Sequence, residues 1–175
     1  QGCNLTEING GKCHTEEDFY LACRSAAILG TLQAGYTDFE FLNPISKNIF
    51  DREALLGVSI TGWMNNPKVL FDEKVLEKGA KIVKEVNREV AAIIGINPAA
   101  RTTCVKPSGN ASVLLQTASG IHAEHSPMYI RNIQMNKESE ITQSIIKSNP
   151  YMVEESVWSA NGTDVVISYP IVPHK

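Results

Sequence analysis

Four cysteines, Cys3, Cys13, Cys23 and Cys104, are the side chains of this 175-residue sequence best suited to redox or nucleophilic work. They form no CxxC pair and no zinc-type spacing, so their default is four free thiols that serve mainly as packing groups. Cys3 lies in a strand-like segment at the very start. To act as a redox thiol it needs a second cysteine close in space, and Cys104 is a candidate for that partner. Cys13, in a loop, and Cys23, on a helix, read as structural.

The strongest local motif is a strand followed by Lys106-Pro107-Ser108-Gly109-Asn110-Ala111-Ser112 and then a short helix. Such a turn leaves backbone N–H groups unpaired at a helix N-terminus, where an anion is the natural guest. Gly109 lets a ligand approach the backbone, and Ser108, Asn110 and Ser112 add side-chain donors. The alternative is an ordinary capped helix start without a ligand, since proline and serine are common N-terminal residues. The spacing is not that of a Walker loop. His122-x-x-His125 lacks a clear third ligand nearby, which speaks against a metal centre. Trp63 and Trp158 read as core or lid residues.

The elements that must position these groups alternate between strand and helix. Cys3 to Ile8 reads as a strand with Cys3, Leu5 and Glu7 on one face and Asn4, Thr6 and Ile8 on the other. Thr15 can cap a helix running from Glu16 to about Ala34, and its apolar residues surround much of it, which implies heavy burial. Asn43-Pro44 opens a short helical turn. The apolar run Leu55 to Thr61 suits a buried strand. Glu73 to Ile94 is the clearest helix, with Val75, Gly79, Ile82, Val86, Val90 and Ile93 in one stripe and Gly95 as its stop. Thr102 to Lys106 and Met128 to Met135 read as strands, Ala111 to Gln116 and Ser139 to Ser148 as helices, and Val165 to Tyr169 as a last strand. This order predicts an α/β fold with a largely parallel sheet covered by helices.

A hydrophobic content of 43% is enough for a sizeable core, and the length suits one domain or a piece of a larger one. A net charge of −3 and a pI near 5.8 leave no general basic surface, which argues against direct nucleic-acid binding. No apolar run approaches the roughly 20 residues that span a bilayer, so no membrane partner is expected.

Several segments, taken in order, resemble the adenosylcobalamin-dependent (class II) ribonucleotide reductases: Cys3-Asn4-Leu5-Thr6-Glu7-Ile8, Leu32-Gln33-Ala34-Gly35-Tyr36, Gly57-Val58-Ser59-Ile60-Thr61-Gly62, Lys106-Pro107-Ser108-Gly109, Gly120-Ile121-His122 and Tyr129-Ile130-Arg131. Each motif is weak alone; the ordered set is specific and covers nearly the whole chain. The resemblance implies part of a ten-stranded α/β barrel of the ribonucleotide reductase type, with residues 1–175 forming a single partial domain truncated at both ends. It implies a cytoplasmic enzyme that makes deoxyribonucleotides from ribonucleoside diphosphates or triphosphates. Its thiyl radical takes hydrogen from the ribose 3′ carbon, a cysteine pair supplies the reducing electrons, and adenosylcobalamin generates the radical. The implied partners are the ribonucleotide substrate, the remainder of the reductase chain or a companion subunit, and a thiol reductant such as thioredoxin.

Carried over by the resemblance, Cys3 matches the second reducing cysteine and Leu5 a position beside the substrate. Pro107, Ser108, Gly109, Asn110, Ala111 and Ser112 match the loop that holds the substrate phosphates. The family's usual residue at Asn110 is threonine; asparagine retains a donor. The family's Asn-Pro-Cys-x-Glu radical motif has no counterpart, because none of the four Asn-Pro pairs here is followed by cysteine. The expectation is therefore a fragment of a longer chain or one half of a split enzyme, inactive alone. Two other readings stand beside it: a non-catalytic nucleotide- or phosphate-binding module, and a stable α/β domain without function whose open sheet edges favour association.

Overall fold

The computed structural model describes residues 2–108 and 111–172. They divide into two compact units, one within Gln1–Glu124 and one within His125–Pro173.

The first unit is built on a parallel pair, β1 (Asn4–Asn9) and β2 (Leu56–Thr61), in register from Asn4 opposite Leu56 to Asn9 opposite Thr61. Between them run α1 (Glu16–Ala34) and α2 (Pro44–Glu53). Helix α1 starts where the acidic cluster places it. Thr15 accepts from the Asp18 amide while the Asp18 carboxylate accepts from the Thr15 amide, a reciprocal cap. Helix α2 is longer than the turn expected at Asn43-Pro44: the Asn43 side chain caps it, and Ala54 closes it in the left-handed region at φ 41°.

After β2 come α3 (Pro67–Leu70) and α4 (Glu73–Ile94), the latter capped by Asp72 and stopped by Gly95 at φ 75°. Helices α1 and α4 pack together over one face of the strands. Ile8, Val58 and Ile60 meet Phe19, Cys23, Ala26 and Ala27 of α1 and Val75, Val83 and Val86 of α4. Gly79 makes the closest approach possible, since a Cβ there would stand 2.5 Å from the Phe19 ring. The buried stripe on α4 is Val75, Gly79, Val83, Val86, Asn87 and Ala91. It departs from the expected stripe at its C-terminal half, where Ile93 is exposed. Asn87 replaces an apolar residue because its amide joins two elements, donating to Thr31 Oγ1 of α1 and accepting from the Ala99 amide. Helix α1 is also less enclosed than its composition suggests, for Leu21 and Leu29 lie on its outer side in solvent.

The expected strand at Thr102–Lys106 is reduced to one parallel bridge, Thr103 opposite Val58. The segment still runs along the free edge of β2: Leu56 N–H donates to Arg101, Val58 N–H to Thr102, and Cys104 N–H to Val58. Regular pairing stops there because Lys106 N–H turns to the Ser59 hydroxyl and Pro107 has no N–H to give. A four-residue helix, α5 (Ala111–Leu114), follows.

The second unit is a separate antiparallel sheet in the order β3 (Tyr129–Asn136), β5 (Asp164–Ile171), β4 (Val153–Glu155), with α6 (Glu140–Ser148) inserted before β4. This differs from the largely parallel arrangement expected. The strict alternation of half-buried and exposed residues along β3 marks a strand covered on one face only, as antiparallel strands commonly are. Trp158 lies exposed in this unit, whereas Trp63 is buried in the first and donates its indole N–H to the Ile60 carbonyl. No helix among the described residues is long and apolar enough to cross a membrane.

Candidate active site

Because the α1–α4 layer takes Thr6 and Ile8 of β1 and Leu56, Val58 and Ile60 of β2, strand alternation sends Cys3, Leu5, Glu7 and Asn9, with Gly57, Ser59 and Thr61, to the opposite face. The sequence-level pairing of Cys3, Leu5 and Glu7 on one face thus holds; the segment from Lys106 to Gly120 covers the Ser59–Thr61 end of that face, while Cys3 and Leu5 stay exposed. Chemistry-bearing residues collect on it.

At one end, Cys3 and Cys104 approach from opposite sides of β2. A Cβ on Gly57 would stand 2.8 Å from Cys3 Sγ, 3.1 Å from Cys104 Sγ and 2.5 Å from the Leu5 side chain. Both thiols are free and exposed. Partial burial raises the Cys3 pKa above the ordinary thiol value, and the neighbouring Cys104 raises it further. The Cys104 pKa is also raised, by burial first, with Lys106 opposing and Glu7 adding to the effect.

In the middle, Glu7 is paired with Lys106 at 3.3 Å, and its side chain is 9% exposed. Its second oxygen, Oε1, is buried with no partner. Lys106 is the residue before the expected phosphate loop, so this ion pair and the bond from Lys106 N–H to Ser59 anchor the loop's entry to both strands.

At the other end, Thr61 is the post to which the loop is tied. Its hydroxyl lies 2.8 Å from Ser108 Oγ and 3.2 Å from the Ala118 carbonyl, and it accepts from the Gly120 amide. Ser108 takes a positive φ of 66° and its hydroxyl accepts from Ser112 N–H. Ser108 and Ser112 are both buried, so their side chains face the protein's own groups. Pro107 is exposed at the loop's entry and Ala111 is half-buried at the start of α5, while Gly109 and Asn110 lie outside the described residues. Gly57 and Thr61 are four positions apart on the same face of β2, about 13 Å at ~3.3 Å per residue. That separation is on the scale of a nucleoside phosphate.

Sequence reading did not single out Gly57, Thr61 or the Glu7–Lys106 pair as site residues. The alternation of β1 and β2 was the available signal for the first two. The ion pair joins residues far apart in sequence and left no local trace. Cys13 and Cys23 are buried in the helix-covered core, as expected of structural thiols.

No protein-family model matches the chain. Individual proteins do. A probable adenosylcobalamin-dependent ribonucleoside-triphosphate reductase from Dictyostelium discoideum is 27% identical over 175 residues, covering 97% of this chain and 22% of that protein. The adenosylcobalamin-dependent ribonucleoside-triphosphate reductase of Euglena gracilis is 26% identical over 176 residues, 97% of this chain and 23% of that protein. The chain resembles these reductases over nearly its whole length. A crystal structure of a B12-dependent (class II) ribonucleotide reductase shares the fold, with a TM-score of 0.63 at 19% identity over 98% of this chain and 27% of the reductase. The chain therefore spans about a quarter of the length of the reductases it matches. The mixed α/β fold and the resemblance read from the ordered motifs are both borne out.

Proposed function

We propose that this chain supplies part of the catalytic barrel of an adenosylcobalamin-dependent ribonucleotide reductase, and that residues 1–175 belong to a single ten-stranded barrel domain. The observation that carries the reading is the shared face: Cys3 over Gly57 and the Ser108 loop beside Thr61, at nucleotide spacing on the same side of β2. Whole-length likeness to reductases supports it.

In this reading Cys3 is one of two reducing thiols. The dithiol gives two electrons and two protons, the ribose loses its 2′ hydroxyl as water, and the sulfurs close to a disulfide. Leu5 flanks the sugar. Pro107, Ser108, Gly109, Asn110, Ala111 and Ser112 form the phosphate loop. Buried Ser108 and Ser112 act as braces for its shape: the Ser108 hydroxyl is tied to Thr61 and accepts from the Ser112 amide, so these groups are engaged within the loop. A thiol reductant such as thioredoxin restores the dithiol, and the setting is cytoplasmic.

The described residues do not by themselves fit the cobalamin. The apolar cavity between β2 and α4 is about 400 Å³, too small for a corrinoid with its adenosyl group, and the face over Cys3 and Cys104 is open. No step here runs through that group. The test is a reductase assay on the full-length protein with ribonucleoside triphosphate, adenosylcobalamin and dithiol. Turnover that falls to background in Cys3→Ser supports the reading; a Cys3→Ser protein that turns over normally contradicts it. The 175-residue chain alone, which contains no Asn-Pro-Cys-x-Glu motif, is expected to show no turnover.

A further inference from the structure

We propose that a cavity at the carboxyl ends of the parallel strands β1 and β2 binds a small phosphate monoester. The cavity measures about 390 Å³, within the roughly 300–1,000 Å³ of small-molecule sites. Three segments wall it: the turn after β1, with Lys12 and His14; the turn after β2, with Asn65 and Asn66; and the end of α5, with Leu115 and Gln116. Ligands of α/β proteins bind beyond the carboxyl ends of parallel strands, where such turns converge. Of the described residues in the proposed nucleotide-phosphate loop, Pro107, Ser108, Ala111 and Ser112, none lines this cavity, so the two sites are separate.

The walls are held by bonds of their own. Asn9 Nδ2 donates to the Leu115 carbonyl at 3.0 Å, tying the end of β1 to the end of α5. Asn66 Nδ2 donates to the Gly10 carbonyl at 2.7 Å, tying the two turns together. A cavity braced in this way is formed before a ligand arrives, which lowers the ordering cost of binding.

The groups left over are donors. Asn65 Oδ1 accepts from the Thr117 hydroxyl at 2.6 Å and from the Ala118 amide at 2.9 Å. Those bonds fix the carboxamide and leave its NH2 with no partner among the described residues. The Lys12 and Gln116 side chains likewise have no partner there, and both are exposed, as is His14. No acid among the described residues lines the cavity, and the Asp18 carboxylate is turned to the Thr15 amide. An ammonium, an imidazole and two carboxamides without a carboxylate suit an oxyanion. A phosphate offers these separate donors three acceptor oxygens where a carboxylate offers two. The cavity has more room than an inorganic ion needs, and Leu115 supplies an apolar wall for the organic part. This site does not depend on the reductase reading.

The test is calorimetric titration of the full-length protein with glycerol 3-phosphate, repeated with Lys12→Ala and Lys12→Arg. Lys12 is exposed, so its replacement spares the core. Lys12→Ala is expected to weaken binding roughly tenfold to a hundredfold, the worth of a hydrogen bond to a charged group, and Lys12→Arg to restore most of it. On the unaltered protein, glycerol 3-phosphate should protect Lys12 from acetylation and His14 from carbethoxylation, relative to Lys74 and His122, read by peptide mass spectrometry. Wild-type affinity in Lys12→Ala, labelling of Lys12 and His14 indifferent to the ester, or equal protection by acetate overturns the proposal. An ester held only at the Ser108 loop would give the first two of those results. The labelling arm uses the unaltered protein, so a variant that fails to fold leaves the proposal still decided.

Discussion

The two faces of the β1–β2 pair come from the same twelve strand residues yet have opposite characters. The face under α1 and α4 carries Ile8, Val58 and Ile60 against the main apolar core and Leu56 in a smaller cluster with Ala34 and Ala54, and the cysteines on that side, Cys13 and Cys23, are each 2% exposed. The other face carries Glu7, Ser59 and Thr61, and its cysteines are exposed. Residue type therefore says little about a thiol here, and the face it occupies says much. Burial pushes the Cys13 thiol up to about 11, with Asp18 adding to it, and pushes Cys23 up to about 12, with Cys13 adding to it. Such thiols stay protonated and inert, whereas exposed thiols remain available to reagents.

The largest expected effect lies on the covered face. Phe19→Ala, at a side chain 2% exposed, removes the ring between α1 and α4 and is expected to cost roughly 3–5 kcal/mol. Denaturant unfolding measures it. A cost below 1 kcal/mol would mean that α1 and α4 do not share one core.

On the opposite face, buried under the Ser108–Gly120 segment, Thr61→Val keeps the volume and removes the hydroxyl that serves Ser108, Ala118 and Gly120. It is expected to cost roughly 1–3 kcal/mol, because the Gly120 amide is left buried without a partner. Nucleotide affinity of the full-length protein should fall with it, as the loop loses its post. Unchanged affinity would separate the loop from the site.

Gly57→Ala forces a methyl against Leu5, Cys3 and Cys104, with an expected overpacking cost of about 1–3 kcal/mol. The informative readout is slower alkylation of Cys3 and Cys104 relative to Cys13 and Cys23. Equal change in all four would mean the added methyl acts on general stability rather than on the open face.

The last effect vanishes at neutral pH, because it is a pH dependence that opens only above about pH 9. Cys13 and Cys23 titrate near 9 when unfolded and near 11 and 12 when folded. The folded state holds its protons longer, so their contribution to stability is fully present below about pH 9 and is lost as pH rises towards 12. Thermal unfolding across that window should show the decline, and Cys23→Ala should flatten it. A decline unchanged in Cys23→Ala would place its source elsewhere.

Much of the helical scaffold was legible because its ends are chemically marked. Thr15 with Asp18 and the stop at Gly95 place α1 and α4 at their observed bounds. The strand faces were legible from alternation, which put Cys3, Leu5 and Glu7 together before any contact was known. What local pattern could not carry was long-range. The segment after Arg101 has strand-like residues, but it loses its ladder to a serine side chain and a proline. The stripe on α4 shifts because Asn87 answers to Thr31, 56 positions away. The Glu7–Lys106 pair spans 99 positions. Apposition of Cys3 and Cys104 likewise depends on Gly57 lying between them.

The most direct test of the shared face is timed alkylation of the full-length protein with and without saturating ribonucleoside triphosphate, read per cysteine by mass spectrometry. The expected result is fast labelling of Cys3 and Cys104 and slow labelling of Cys13 and Cys23 in the free protein. Bound nucleotide should then slow Cys3 markedly and leave Cys13 and Cys23 unchanged. Cys3 labelling that is indifferent to bound nucleotide would contradict a substrate site on this face.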